Sequence, residues 1–328
     1  MKRVTIYDVA REANVSLATV SRVINGVNVV RKDTRDRVES AIEMLGYKPN
    51  AIAQGLALQK TTTIGLIIPE ASFIFTGNII NGLMDVARIY KYNIMLHTTT
   101  ETISDIKDVV ETIIKSRVDG VIIYNDQLDD SVVAELQKYD VPIVVMNNKL
   151  THKHIASVYV DIEEAVYERV SEYLKNGLDK VAIIEDRKNT TACKQMIDGA
   201  NRAYKAFGKE FDGYLQIPHE FHTSYAFLKD HLATTKYDLV MAYRDSQAIS
   251  TINAAKENNI KVPDDLEIIC VIDTKYNSMV RPQISSFSIP SYDLGAVAMR
   301  VLTKMLKNDH FENQIELSYL YTPRQSTK

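Results

Sequence analysis

The sequence predicts two unlike parts: a small all-α head, and a larger α/β core of parallel sheets with helices on both faces. Three observations predict it. Residues 5–45 carry three short apolar stripes at helical spacing, separated by turn residues. From Thr62 onward, short apolar runs alternate with amphipathic segments, and the alternation recurs after about residue 162. Charge is also divided along the chain. Residues 1–60 hold ten Lys/Arg against six Asp/Glu, whereas the remainder holds 29 against 36. The overall net charge of –3 therefore conceals a basic head on an acidic body, the distribution that phosphate binding by one domain requires.

The head begins with Thr5 to Asn25, TIYDVAREANVSLATVSRVIN. Thr5 is a cap for a first helix, because its hydroxyl can take a free amide at the helix start. Ile6, Val9 and Ala10 form the apolar stripe, and Asn14 stands at the turn, where a left-handed residue is tolerated. Ser16 caps a second helix whose inner face is Val20, Val23 and Ile24. Its outer face is then Leu17, Ala18, Ser21 and Arg22. Small residues with one guanidinium fit a major groove, with Arg22 set against a guanine edge. An ordinary helical hairpin with solvated charges has the same periodicity.

A third helix runs from about Asp33 to Leu45, with Asp33 as its cap, Val38, Ala41, Ile42 and Leu45 as its stripe, and Gly46 as its stop. Pro49-Asn50 then opens AIAQGLALQK, an Ala-rich stretch too short for a stable free helix, and in composition a plain linker.

In the core, TIGLIIP reads as a buried strand, followed by a helix near 77–90, the strand NIMLHTT and a helix at 104–116. The strand DGVIIY, a helix at 129–138 and the strand PIVVMN complete the first half. The second half reads as a helix at 163–176, strand KVAIIE, helix 192–207, a strand at 214–217, helix 221–233, strand DLVMAY, helix 246–258 and strand LEIICVI. Two similar halves of this kind make a two-lobed binding-protein fold with a cleft between the lobes.

Composition narrows the function. A chain of 328 residues holds two or three domains of ordinary globular composition. It has no apolar run long enough to span a membrane, and MKRVTIYD has no apolar signal region, so the cytoplasm is expected. Cys193 and Cys270 sit among apolar or small neighbours, which disfavours a disulfide. No Gly-rich phosphate loop is present, which disfavours phosphate-loop enzymes. His152, His154, His219 and His222 lack Cys or carboxylate partners at metal spacing, so no metal and no cofactor are expected.

TIYDVAREANVSLATVSRVING, followed by TRDRV, GYKPN and an Ala-Gln-Gly-Leu-Ala stretch, resembles the head of the LacI/GalR repressors, and from Thr61 the chain also resembles that family's core. The resemblance implies a helix-turn-helix DNA-binding domain at 1–48, a hinge helix at 49–60 and a two-lobed, periplasmic-binding-protein-like regulatory and dimerisation core at 61–328. The N-lobe would take about 61–161 and 291–320, and the C-lobe about 162–290 and 321–328, the chain crossing three times. The function implied is not enzymatic: a homodimeric transcriptional regulator on a pseudo-palindromic, double-stranded operator. DNA contacts are implied for Thr5, Tyr7, Ser16, Leu17, Ala18, Thr19, Ser21, Arg22 and Asn25 in the head, and for Asn50, Ala53 and Leu56 in the hinge. Leu56 would be the apolar wedge at a central base step of the minor groove. Gln54 stands where the family commonly has Arg, which removes a charge from the hinge.

Two regulatory surfaces follow. In family members that sense sugars or purines, an Arg three residues before a Gly and an Asp in a Gly-Phe-Asp-like turn grip the ligand. Here the matching Gly is Gly199, the Arg position is Met196 and the Asp position is Ile272, so a hydroxyl-rich ligand would lack hydrogen bonds. Asp245 keeps a pocket-edge acid, with Arg244 before it. A shifted alignment would give the role to Asp273, and a repressor switched by a small sugar or sugar phosphate remains the alternative. The second surface is SYDLGAVAMRVLTKML, residues 291–306. Leu294, Val297, Ala298, Val301, Leu302 and Met305 form its apolar stripe. Arg300 and Lys304 project within about 20° of the Asp293 direction, off that stripe. Alone this is a solvated face. The segment is similar to the one with which carbon-catabolite-control members of the family dock a corepressor, the phosphocarrier HPr phosphorylated on serine. That implies phosphoserine contacts from Arg300 and Lys304, a basic partner residue for Asp293, and Asp85, Tyr90 and Tyr92 near the same surface.

Overall fold

The computed structural model describes residues 4–27, 29–48, 60–69, 74–99, 103–124, 138, 141–150, 155–186, 191–218 and 220–328. Asn50, Ala53, Gln54, Leu56, His152, His154, His219 and nearly all of the helix expected at 129–138 lie outside these. The chain divides into two compact units, Met1–Thr62 and Thr63–Lys328.

The first unit contains α1 (Ile6–Glu12), α2 (Leu17–Ile24) and α3 (Lys32–Leu45). Thr5 caps α1 in a capping box, in which the Asp8 carboxylate accepts both the Thr5 N–H at 2.9 Å and its hydroxyl at 2.7 Å. Asn14 takes the turn with φ 51°, and Ser16 Oγ accepts the Thr19 N–H at 3.2 Å to start α2. The third helix departs from expectation at its start. Arg31 occupies the cap position without a side-chain bond, and Asp33 lies inside the first turn, where its charge suits the positive end of the helix dipole. Gly46 ends α3 with φ 60°. Val9, Ala10, Ala13, Val20, Val23, Val38 and Ala41 are buried together, one face from each helix.

The second unit runs, in chain order, β1 (Thr63–Ile68), α4 (Ile74–Tyr90), β2 (Asn93–Thr98), α5 (Ile103–Lys115), β3 (Gly120–Tyr124), β4 (Ile143–Met146), β5 (Ile155–Tyr159), α6 (Ile162–Lys175), β6 (Val181–Asp186), α7 (Thr191–Ala206), β7 (Tyr214–Ile217), α8 (Phe221–Leu232), β8 (Leu239–Ala242), α9 (Asp245–Glu257), β9 (Glu267–Cys270), α10 (Lys275–Met279), β10 (Ser285–Ser288), α11 (Ser291–Lys307), β11 (Gln314–Glu316) and β12 (Leu320–Thr322). One sheet has the order β11-β5-β4-β3-β1-β2, all parallel. The other has the order β12-β10-β9-β8-β6-β7, parallel except that β12 runs against β10. The two halves thus repeat one strand order, and β11 is supplied to the first sheet from late in the chain.

The central strands β1, β3 and β4 read as unbroken apolar runs because both faces are covered. Ile64, Leu66, Ile122 and Tyr124 face one buried cluster with α4 and α11 residues, while Ile67, Val121 and Ile123 face another with Val110 and Ile113 of α5. Each fully buried Ile or Leu is worth roughly 1.5–3 kcal/mol. Gly82 on α4 and Gly295 on α11 let those two helices cross with backbone against backbone. No helix among the described residues is long and apolar enough to cross a membrane.

Candidate nucleic-acid interface and regulatory surfaces

On α2 the buried side is Val20 and Val23, so the opposite side is free. Leu17, Ala18 and Arg22 are exposed there, and Ser21 is half-buried. Arg22 forms no ion pair among the described residues. Thr19 is half-buried, its hydroxyl 2.9 Å from Ser16 Oγ, and Asn25 Nδ2 donates to Ser21 Oγ at 3.3 Å, so the polar groups at both ends of α2 are held in place. Thr5 is exposed at the start of α1, and Tyr7, on its first turn, is 67% exposed, a large ring with no packing role in the head core. Arg35 donates to the Val27 carbonyl at 3.2 Å, fastening the loop after α2 to α3. Sequence reasoning missed this residue, since nothing in helical spacing signals a bond to a loop carbonyl.

On the second unit, α4 and α11 lie side by side and bring together residues more than 200 positions apart in sequence. The Tyr292 hydroxyl donates to Asp85 Oδ2 at 2.9 Å, and Arg88 holds the other Asp85 oxygen at 3.0 Å. Lys307 Nζ sits 4.8 Å from the centre of the Tyr90 ring. Asp293, Arg300 and Lys304 are exposed on the outer face of α11, and neither cation has an anionic partner among the described residues. Hydrogen bonding to Asp85 and burial raise the Tyr292 hydroxyl above its ordinary pKa, and the Asp85 and Asp293 charges act the same way. Tyr92 differs from the expectation of a surface tyrosine: it is half-buried and packs on the first-lobe core, its hydroxyl raised by burial. Tyr292 and Lys307 went unnoticed in the sequence, although Lys307 continues the Arg300–Lys304 spacing by one more turn.

At the carboxyl ends of the second sheet, the two expected cleft acids are already engaged. Asp245 is buried and accepts the Thr274 hydroxyl at 2.6 Å and the Ser246 N–H at 2.7 Å. Asp273 pairs with Arg324 at 2.8 Å and accepts the Ser288 hydroxyl at 3.0 Å. Met196 and Ile272 are fully buried in the apolar core. Gly199 serves packing, since a Cβ there would meet the Glu163 carbonyl of α6 at 2.4 Å. On the first sheet, Asn147 follows β4 with φ 58°, is 6% exposed, and has no partner for either side-chain atom among the described residues. His222 is exposed on α8, and no group of three or more possible metal ligands occurs among the described residues.

The Asp273 carboxyl has a testable pH signature. Burial pushes its pKa up, but Arg324 and the Ser286 and Ser288 hydroxyls outweigh that and hold it below the usual carboxylate value. A carboxyl lowered on folding stabilises the fold above its unfolded pKa, and the contribution disappears as pH falls through the folded value. The chain should therefore lose stability on acidification below the ordinary carboxylate range. Arg324→Ala, which strands a largely buried charge, should cost about 3 kcal/mol at pH 7 and flatten that part of the profile. Urea denaturation at a series of pH values checks it, and parallel profiles for the two chains would contradict it.

Comparison with known proteins agrees with this architecture. The family "Bacterial regulatory proteins, lacI family" matches residues 5–50, and "Periplasmic binding protein-like domain" matches residues 170–327. Catabolite control protein A of Staphylococcus xylosus is 36% identical over 99% of this chain and 99% of its own length. Among solved structures, the transcription regulator CcpA of Lactococcus lactis is 28% identical with a TM-score of 0.72, over 81% of this chain and 99% of that one. The lac repressor dimer bound to operator and an anti-inducer shares the fold, with a TM-score of 0.88 at 20% identity over 99% of each chain. With its helix-turn-helix head, its two-lobed core and these relatives, the chain belongs to the LacI family of bacterial transcriptional regulators, which are DNA-binding proteins and not enzymes.

Proposed function

We propose that the chain binds a pseudo-palindromic operator as a homodimer, and that HPr phosphorylated on serine docks on α4 and α11 to promote that binding. In the head, Arg22, Leu17, Ala18 and Ser21 read bases, while Thr5, Tyr7, Ser16, Thr19 and Asn25 position the helix on the backbone. Asn50, Ala53 and Leu56 contribute through the hinge.

The observation that carries the corepressor reading is the pair Arg300 and Lys304, exposed, without anionic partners among the described residues, and one helical turn apart beside the exposed Tyr292 and Tyr90. Two cations at that spacing suit one phosphoserine, and the tyrosines suit the centre of a protein interface. Asp293 pairs with a basic group of the partner. Asp85, tied to Tyr292 and Arg88, braces the surface. Relatives that bear the name catabolite control protein A support a role in carbon catabolite control.

Calorimetry with phosphorylated and plain HPr tests the reading. Binding should be confined to the phosphorylated form, and Arg300→Ala or Lys304→Ala should weaken it roughly 10- to 100-fold, because a hydrogen bond to a charged group is worth about 1.5–3 kcal/mol. Equal binding of both forms, or none, would sink it.

A second reading, a small sugar or sugar phosphate in the cleft, is favoured by the amide of Asn147, which has no partner among the described residues. Carboxyl ends of parallel strands are where ligands of such sheets bind. Against it stand the engaged carboxylates of Asp245 and Asp273. A large thermal shift with one sugar would favour the cleft.

A further inference from the structure

The chain passes between the two sheets three times: from β5 to α6 at residues 160–161, from β10 to α11 at residues 289–290, and from β11 to β12 at residues 317–319. Lobes joined only by such connections open and close by rotation about them, and side chains that fix the backbone there set the preferred angle. One side chain touches the elements at all three. Tyr319 lies in the third connection. Its ring stands edge-on to Phe287 of β10, 5.7 Å between centres and 87° between planes, just before the second connection. Its hydroxyl donates to Glu168 Oε2 at 2.7 Å, on α6, the helix that the first connection delivers.

Glu168 and Phe287 both belong to the second lobe, so these contacts fix where the third connection leaves that lobe. The start of the third connection is tied to the first lobe, where the Leu317 N–H donates to the Tyr159 carbonyl at 2.8 Å. Its far end is tied to the second lobe, where Thr322 pairs with Ser286 across the antiparallel ladder and its hydroxyl lies 2.9 Å from that of Ser288. Between these anchors, the Tyr319 hydroxyl bonds to α6, a helix outside the ladder. Phe287 and Tyr321 lie 5.5 Å apart with their planes tilted by 55°, and the Arg169 guanidinium lies 3.7 Å from the Tyr321 ring centre, so the wall that receives Tyr319 is packed from both sides.

We propose that Tyr319 is the positioning residue of the interlobe hinge: its bond to Glu168 and its contact with Phe287 select one lobe angle, and their loss releases a second. The proposal is independent of which partner or ligand the chain uses.

The test is a distance distribution between spin labels on the two lobes of the full chain, at Glu111→Cys on α5 and Lys205→Cys on α7, both exposed positions. The native Cys193 and Cys270 are buried and stay in place. Tyr319→Phe keeps the ring and removes the hydroxyl. It should raise the ratio of displaced to parental distances about fivefold, the factor corresponding to one net hydrogen bond of about 1 kcal/mol. Glu168→Ala should reproduce the change, and Glu168→Gln, which keeps an acceptor oxygen, should stay near the parent. A displaced population in Tyr319→Phe that Glu168→Ala reproduces supports the hinge role. A parental distribution in either variant overturns it. The readout separates angle from stability, because a merely structural loss lowers the melting temperature without adding a distance.

Discussion

Arg22→Ala should lose most of the discrimination between operator and random DNA while keeping much of the affinity for random DNA. The expectation follows from how α2 is built. Val20 and Val23 are buried and fix the rotation of the helix, Ser16 fixes its start, and Arg22 is left exposed on the opposite side with no ion pair among the described residues to compete for it. An arginine placed that way reaches O6 and N7 of guanine together, and a good bidentate contact is worth about 1–3 kcal/mol of discrimination. Two heads on one operator double the loss. Phosphate contacts carry the affinity for random DNA and its salt dependence, and this substitution leaves the other basic residues of the head in place. Titrating operator and random duplexes at two salt concentrations reads both quantities. Unchanged discrimination would remove Arg22 from base reading, whereas an equal fall on both duplexes would make it a phosphate contact.

Much of this was legible in the sequence because the signals are local. Apolar spacing fixes the rotation of α2 and α11, turn residues such as Asn14 and Gly46 fix the breaks, and continuous apolar runs mark strands covered on both faces. The strands β5, β10, β11 and β12 escaped notice. They are three to five residues long and partly polar, and Ser285 and Ser286 are buried through hydrogen bonds rather than apolar character. The cleft was read from aligned positions, which named Met196 and Ile272 as lost ligands but gave no sign that Arg324 neutralises Asp273. That pairing spans 51 positions and depends on the last segment of the chain folding back beside β10. The α11 ridge showed the opposite balance. Periodicity placed Arg300 and Lys304 on one face, while the contacts that make a surface of them, Tyr292 to Asp85 and Lys307 to Tyr90, depend on a crossing of two helices that no single stretch encodes.

That crossing makes a single added methyl group costly to stability. A Cβ on Gly295 would lie 2.0 Å from the Ile79 carbonyl oxygen and 3.0 Å from the Leu83 nitrogen, and one on Gly82 would lie 1.9 Å from the Tyr292 carbonyl oxygen. The obstacles are backbone atoms of the facing helix, so no side-chain rotamer relieves them, and α4 and α11 must move apart. Ile79, Leu83, Leu294 and Ala298, all fully buried, lie along the same contact and would lose close packing. Gly295→Ala should therefore cost about 3 kcal/mol and lower the melting temperature by roughly 5–10 °C. It should also weaken binding of the proposed phosphorylated partner although Gly295 is buried, because Asp85 and Tyr90 on one helix would no longer meet Tyr292 and Lys307 on the other. Gly77→Ala is the matched control. It lies on the same α4, its Cβ would meet nothing within 4 Å, and alanine favours the helix by up to about 1 kcal/mol. One methyl group on the same pair of helices should thus act in opposite directions at the two glycines, a difference that helix propensity alone does not produce. If Gly295→Ala melted with the parent, the backbone-to-backbone crossing would be wrong, and with it the reason that two distant stretches of sequence form one continuous surface.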